Sequence, residues 1–394
     1  MLLLFIQSSK NKMLKILLKS KKLIGINILI LLFLISLPSI LLYGFKKSKS
    51  LLSVNDKLGL IDPRAEYPVY SSRKIANEIY RDSIKTSTRY RAFLGWTKEK
   101  FKSKHVNILG KYNTRYSLGQ ELNNSIWFFG GSTMWGTGVS DKSTIPSNYN
   151  KITGESVFNF GEGGYNSRNA LNQFITLLGD GYSPSKVIFY DGYNDVEHGC
   201  RVENNAIPTH SRELIIDNAL KNRNVGIRNI SKQLLFRISK ILIEPYMLLV
   251  NNNNLKYENL AKGYNCDKDF SKSKKIASHL VNNWYSAYLI AKSKDIDFYA
   301  VLHPTLFSAK APFEFFTEEW KMRAKYLKPQ FEILYPLILD AVKSKCIKDK
   351  SFCEVFQNGS QWISSDSLVF IDEVHLTNKG NMMIAKELQL ILNN

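Results

Sequence analysis

The sequence predicts an α/β fold in which parallel strands are joined by helices. From about Ser125 onward, short apolar runs alternate with stretches of helical periodicity, the pattern that strand–helix–strand units leave in a sequence. Three of those runs lead into glycine-bearing segments, and glycine lets a chain turn tightly out of a buried strand. The chain has 394 residues, 44% of them hydrophobic, ample for one large core and for insertions upon it. No internal repeat is visible.

The N-terminus reads as a membrane anchor. Residues 1–22 are a basic tail carrying Lys10, Lys12, Lys15, Lys19, Lys21 and Lys22. Residues 23–43, from Leu23 to Tyr43, contain no charge, and about 20 apolar residues are what a helix needs to cross a bilayer core. A cleaved signal peptide would have a shorter apolar core followed by small residues; here Ile40, Leu41, Leu42 and Tyr43 are bulky. Pro38 can kink a spanning helix without excluding it. Lys46, Lys47, Lys49 and Lys57 follow the run. The lysine balance therefore favours a cytoplasmic N-terminus and an extracytoplasmic body. Met13 opens a second charged leader and is an alternative start.

Residues 44–119 are expected to form a juxtamembrane linker and then, from Pro63, a lead-in rich in Tyr and Arg that packs on the main domain, residues 120–394. In that domain Ile126–Phe129, Val157–Phe160, Lys186–Tyr190 and Phe298–Leu302 read as strands. Leu171, Phe174, Ile175 and Leu178 fall on one helical stripe, as do Ala277, Leu280, Val281, Trp284 and Tyr288. A last helix holds Ile384, Leu388 and Ile391, with Thr377 as its N-cap. Residues 201–269 interrupt this rhythm as an insertion. Within it Ile230, Leu234, Leu235, Ile238, Ile241 and Leu242 suggest an amphipathic helix, and Asn251–Asn254 a polar loop.

The formal net charge is +20. That surplus suits an anionic partner such as a lipid surface or an acidic envelope polymer. No zinc-finger spacing, RNP-like aromatic motif or basic-region heptad points to nucleic acid. Cys200, Cys266, Cys346 and Cys353 are compatible with two disulfides in an exported domain or with four unpaired buried thiols.

Chemistry gathers at the strand ends. In an open parallel sheet, ligands sit in the crevice outside the carboxyl ends of the strands. The first strand runs into Gly130-Gly131-Ser132-Thr133, the second into Gly161-Glu162-Gly163-Gly164, the third into Asp191-Gly192-Tyr193-Asn194. Near the C-terminus, Asp372-Glu373-Val374-His375 precedes the last helix. Acyl transfer needs a nucleophile, a base, a carboxylate to orient the base, and donors for the developing oxyanion. These four segments supply each part once. His303, before Pro304 at a strand end, reads as structural. His105, His198, His210 and His279 lack ligand spacing, so neither metal nor cofactor is expected. Asp195 and Glu162 lie beside the segments without an assigned role.

This set resembles the four sequence blocks of the SGNH (GDSL-like) hydrolases, in their order and rough spacing, from about Tyr116 to the C-terminus. The resemblance implies a flavodoxin-like three-layer α/β/α sandwich with a parallel sheet. It makes Ser132 the nucleophile, His375 the general base and Asp372 its partner, with the backbone N–H groups of Ser132 and Gly164 and the Asn194 amide as oxyanion hole. One residue departs: the family's first block usually reads Gly-Asp-Ser, and Gly131 stands at the aspartate. Gly-Gly-Ser-Thr and the strand motif Val301-Leu302-His303-Pro304 are similar to membrane-anchored or envelope-associated members. The expected activity is a serine esterase or acyltransferase acting on small acyl groups, O-acetyl foremost, of an envelope polysaccharide or glycan. The alternatives are a lipid-directed acylhydrolase and a catalytically silent envelope protein.

Overall fold

The computed structural model describes residues 26–27, 62–204, 216 and 263–392. The chain divides into two compact units, Met1–Leu60 with Asn222–Leu255, and Ile61–Lys221 with Lys256–Asn394. Every element named below lies in the second. Apart from Ile26 and Asn27, the expected anchor at 23–43 lies outside the described residues, as do the insertion's amphipathic stripe and Asn251–Asn254. Among the described residues, no helix is long and apolar enough to cross a membrane.

The lead-in folds first in sequence. Helix α1 (Arg73–Ile84) starts at Ser72, whose side chain accepts the Ile75 N–H, the usual service of an N-cap serine. Two short antiparallel pairs follow: β1 (Thr88–Arg91) with β2 (Gly95–Lys98), and β3 (Ile108–Leu109) with β4 (Thr114–Arg115). Arg115 is fully buried, bonds Asp141 at 2.6 Å and donates to the Val139 carbonyl at 2.8 Å. This bolts the lead-in to the loop beyond Ser132.

The central sheet has five parallel strands. In chain order they are β5 (Ile126–Gly130), β6 (Val157–Asn159), β7 (Lys186–Asp191), β8 (Asp297–Leu302) and β9 (Phe356–Asn358), arranged β6-β5-β7-β8-β9. That is the flavodoxin-like 2-1-3-4-5 order, whose switch point falls between β5 and β7. Every residue of β5 is buried, because helices cover both faces, and such strands read as continuous apolar runs. Side chains alternate across the pleat. Trp127, Phe129, Val187 and Phe189 enter one core with helices α4 (Ser167–Gly179), α6 (Phe270–Lys292) and α8 (Glu318–Lys348). Ile126, Phe128, Ile188 and Tyr190 enter the other, with α3 (Ile145–Thr153), α7 (Leu306–Ala309) and α10 (Asn378–Leu392).

Two details differ from the expected pattern. The buried stripe of α4 is Ala170, Leu171, Phe174 and Leu177, whereas Ile175 is 46% exposed. A helix turns about 100° per residue, and a stripe centred on Phe174 leaves its neighbour pointing outward. Helix α8 has no counterpart among the elements expected from the sequence, and it holds Pro329 and Pro336, residues that ordinarily break a helix. They stand seven residues apart, at half-exposed and exposed positions. Leu327, Phe331, Leu334, Ile338 and Val342 are buried at helical spacing.

Both disulfides are formed. Cys346–Cys353 ties the end of α8 to α9 (Lys350–Val355), and Cys200–Cys266 joins the two ends of the insertion across 66 positions.

Candidate active site

The site lies at the switch point. Ser132 opens the one-turn helix α2 (Ser132–Trp135), immediately after β5. Its own N–H is thus among the first of a helix, which lack intrahelical acceptors. Across the crevice, Ile371 N–H donates to the His375 carbonyl at 2.9 Å, closing a five-residue loop. The closure brings Asp372 and His375 together. The Asp372 Oδ1 accepts the backbone N–H groups of Val374 at 3.0 Å and His375 at 2.8 Å. Its Oδ2 lies 2.7 Å from His375 Nδ1, and His375 Nε2 lies 2.7 Å from Ser132 Oγ. Serine, imidazole and carboxylate therefore form one continuous hydrogen-bonded chain, the constellation of acyl-transfer enzymes.

The sequence did not point to the fourth member of that chain. Arg64, from the lead-in, donates from Nη1 to Asp372 Oδ2 at 2.9 Å, while its Nε and Nη2 bind Asp62. Its guanidinium also lies over the rings of Tyr80 and Trp320. Burial pushes the Asp372 carboxyl up, but His375 and Arg64 outweigh burial and hold it well below the usual carboxylate range. The cation and the imidazole thus favour the ionised form of the acid.

Asn194 is the second residue of helix α5 (Tyr193–Gly199), after β7. Its Nδ2 donates to the Tyr165 carbonyl at 2.6 Å, leaving its second amide proton for another acceptor. The amide also presses on Gly131. A Cβ at that position would come within 2.2 Å of Asn194 Nδ2 and 3.0 Å of the Tyr165 carbonyl. A side chain there would force the Asn194 amide to move. The missing aspartate of the first block therefore has a steric reason. Gly164 lies on the same wall at φ +83°, a conformation that glycine adopts at no steric cost.

His303 takes no part in this chain. Its Nε2 accepts the Tyr193 N–H at 3.1 Å and its Nδ1 faces the Pro304 carbonyl at 3.0 Å. Burial pushes it down to about 4, so it is a neutral scaffold group. Asp195 accepts the backbone and hydroxyl of Ser167, and Glu162 accepts the Lys98 N–H; both hold loops.

Ser132, Gly164, Asn194, Asp372 and His375 line one cavity of about 200 Å³. Its other walls carry two ion pairs, Arg201 with Glu197 and Arg323 with Glu373, beside the apolar surface of Trp320 and Val374. Glu197 is buried and also accepts the Tyr264 hydroxyl at 2.8 Å, so the neck of the insertion forms part of the wall. Among the described residues of the lining, Val374 is the aliphatic one. Arg323 and Trp320 come from α8, which explains why strand-end reasoning missed them.

A parallel sheet with a serine–histidine–aspartate chain at its switch point is the architecture of a serine ester hydrolase. The family model of GDSL-like lipase/acylhydrolase matches residues 126–388, well over half of the chain, and the protein belongs to that family. Among solved structures, it is similar to a putative acylhydrolase from Bacteroides fragilis, at 14% identity and a TM-score of 0.35, over 68% of this chain and 86% of that one. It is also similar to a carbohydrate acetylesterase from Sinorhizobium meliloti, at 14% identity and a TM-score of 0.34, over 68% of this chain and 100% of that one. A GDSL-like lipase from Bacteroides thetaiotaomicron likewise matches, at 14% identity and a TM-score of 0.34, over 68% of this chain and 88% of that one. No curated protein matches the sequence.

Proposed function

We propose that the protein removes or transfers small acyl groups, O-acetyl foremost, on a glycan outside the cytoplasm, through an acyl-serine intermediate. The observation that carries the chemistry is the 2.7 Å approach of His375 Nε2 to Ser132 Oγ, with Asp372 on the other ring nitrogen. In the first step, Ser132 Oγ attacks the ester carbonyl as its proton passes to His375 Nε2. The charged Asp372 then stabilises the imidazolium. The oxyanion is met by the N–H groups of Ser132 and Gly164 and by the free amide proton of Asn194. Collapse releases the alcohol with the proton from His375. Water, or an acceptor hydroxyl, then attacks the acyl-serine by the same proton path in reverse.

The substrate class rests on the cavity. A volume of about 200 Å³ walled by Arg–Glu pairs suits a short acyl chain and a hydroxyl-rich alcohol. A lipid acyl chain would call for a long apolar tunnel, whereas this cavity is small and carries two Arg–Glu pairs among its described residues. The two disulfides support an oxidising compartment, in keeping with an anchor at 23–43 that leaves the body outside. A fluorophosphonate probe should label the wild type and not Ser132→Ala. Acetate should be released from O-acetylated glycan well before fatty acid from long-chain esters. Preference for long-chain esters would refute the substrate reading, and folded but unlabelled wild type would refute the mechanism.

A further inference from the structure

We infer that Trp96, on the lead-in hairpin, is a positioning residue that aims the Gly164 N–H at the reacting carbonyl. This deepens the assignment of Gly164 as an oxyanion donor and rests on it. The indole Nε1–H of Trp96, buried in β2, donates to the Gly163 carbonyl at 2.9 Å. A trans peptide is planar, with its C=O and the following N–H on opposite sides. A donor that pins the Gly163 carbonyl therefore turns the Gly164 N–H the other way, toward the cavity that Gly164 shares with Ser132 and Asn194.

The flanking N–H groups turn elsewhere. Gly163 donates to Glu162 Oε1 at 2.8 Å and Tyr165 to the Glu162 carbonyl at 3.0 Å. Gly164 N–H meets no acceptor among the described residues. At φ +83° the glycine has little stiffness of its own, so its orientation depends on what grips the peptide from outside. That grip is itself fixed. The Tyr165 hydroxyl donates to the Trp96 carbonyl at 2.6 Å, and the two rings meet edge to face at 5.4 Å. The Tyr165 carbonyl in turn holds Asn194 Nδ2. Two of the three oxyanion donors are thus tied to one hairpin that lies before the family's first sequence block.

Trp96→Phe and Trp96→His separate donor from filler. The imidazole Nε2 occupies the ring position of the indole N–H, so the His variant keeps a donor and loses more packing; Phe does the reverse. Turnover of p-nitrophenyl acetate is measured per active site, titrated with fluorophosphonate, together with melting temperature. The expected result is a kcat for Trp96→Phe lower by about tenfold to a hundredfold, with KM within about twofold. Trp96→His should turn over faster than Trp96→Phe despite a lower melting temperature. A folded Trp96→Phe with wild-type kcat, or activities that follow melting temperature, would overturn the inference while leaving Ser132 labelling intact. Loss of labelling in the wild type would instead remove the underlying assignment. Should neither ring variant fold, Tyr165→Phe, which releases the Trp96 carbonyl, takes their place with the same two outcomes.

Discussion

Giving position 131 any side chain should disable the oxyanion hole without touching the catalytic serine. In Gly131→Ala the new Cβ would lie 2.2 Å from Asn194 Nδ2, and ordinary contact begins at 3.4 Å. The amide must therefore retreat by about 1.2 Å, the difference between those distances. It has nowhere neutral to go, because the same nitrogen holds the Tyr165 carbonyl at 2.6 Å and that carbonyl lies 3.0 Å from the new Cβ. Loss of one oxyanion donor costs about 10²–10³ in turnover, and a displacement of about 1 Å is enough to forfeit it. Steady-state hydrolysis of p-nitrophenyl acetate by Gly131→Ala, Asn194→Ala and the double variant tests this. Each single variant should lose about 10² or more in kcat with KM little changed. The double variant should be about as slow as either one, since both remove the same donor. Wild-type turnover in Gly131→Ala, or losses that multiply in the double variant, would refute it. By the same sterics Gly131→Asp, which restores the usual residue of the first block, should impair the enzyme.

Two further outcomes follow from buried charge. Arg64→Met leaves Asp372 without its cation in a site where both side chains are largely buried, which should lower stability by about 3 kcal/mol or more in urea denaturation. Arg64→Lys should recover less than half, because a single ammonium cannot span Asp62 and Asp372 as the fork does; a loss below about 1 kcal/mol would mean the pair is inert. His303 is held down at about 4 from an ordinary 6.5, so the unfolded chain takes up a proton that the fold refuses. Its contribution is complete above pH 6.5 and is lost as pH falls toward 4, by about 3 kcal/mol at about 1.4 kcal/mol per pH unit. The stability difference between wild type and His303→Gln should shift by that amount between pH 7 and 4, and a pH-independent difference would exclude the assignment.

The sheet and the reacting groups were legible for one physical reason. Strands buried on both faces leave uninterrupted runs such as Ile126–Phe129, and a parallel sheet sends its functional loops to one edge, so the segments holding Ser132, Gly164 and Asn194 could be placed at one rim, while their roles came from the resemblance to the family's sequence blocks. What was not legible reaches the site by other routes. Arg64 and Trp96 come from short elements with no period, and their significance lies in what they touch rather than where they stand in a pattern. Strand β9 is three residues long at the sheet edge, too short to show alternation. Helix α8 holds two prolines, which ordinarily break a helix, although its buried stripe from Leu327 to Val342 could have disclosed it. The exposure of Ile175 shows the opposite error, an apolar residue read as inward because its neighbours are.

The Cys200–Cys266 bridge has a consequence for how this enzyme can change over generations. It brings the two ends of the insertion to a Cα separation of 5.1 Å, with Arg201 and Tyr264 paired just inside it. Whatever lies between begins and ends at one fixed doorway. Doubling the length of a closed loop costs only about 0.6 kcal/mol, so residues beyond that doorway can be lengthened, shortened or exchanged with little strain on the sheet. Arg201 and Glu197 remain at the cavity throughout. Length variation among close relatives should therefore concentrate between positions 205 and 262, while Arg201 and Glu197 stay constant.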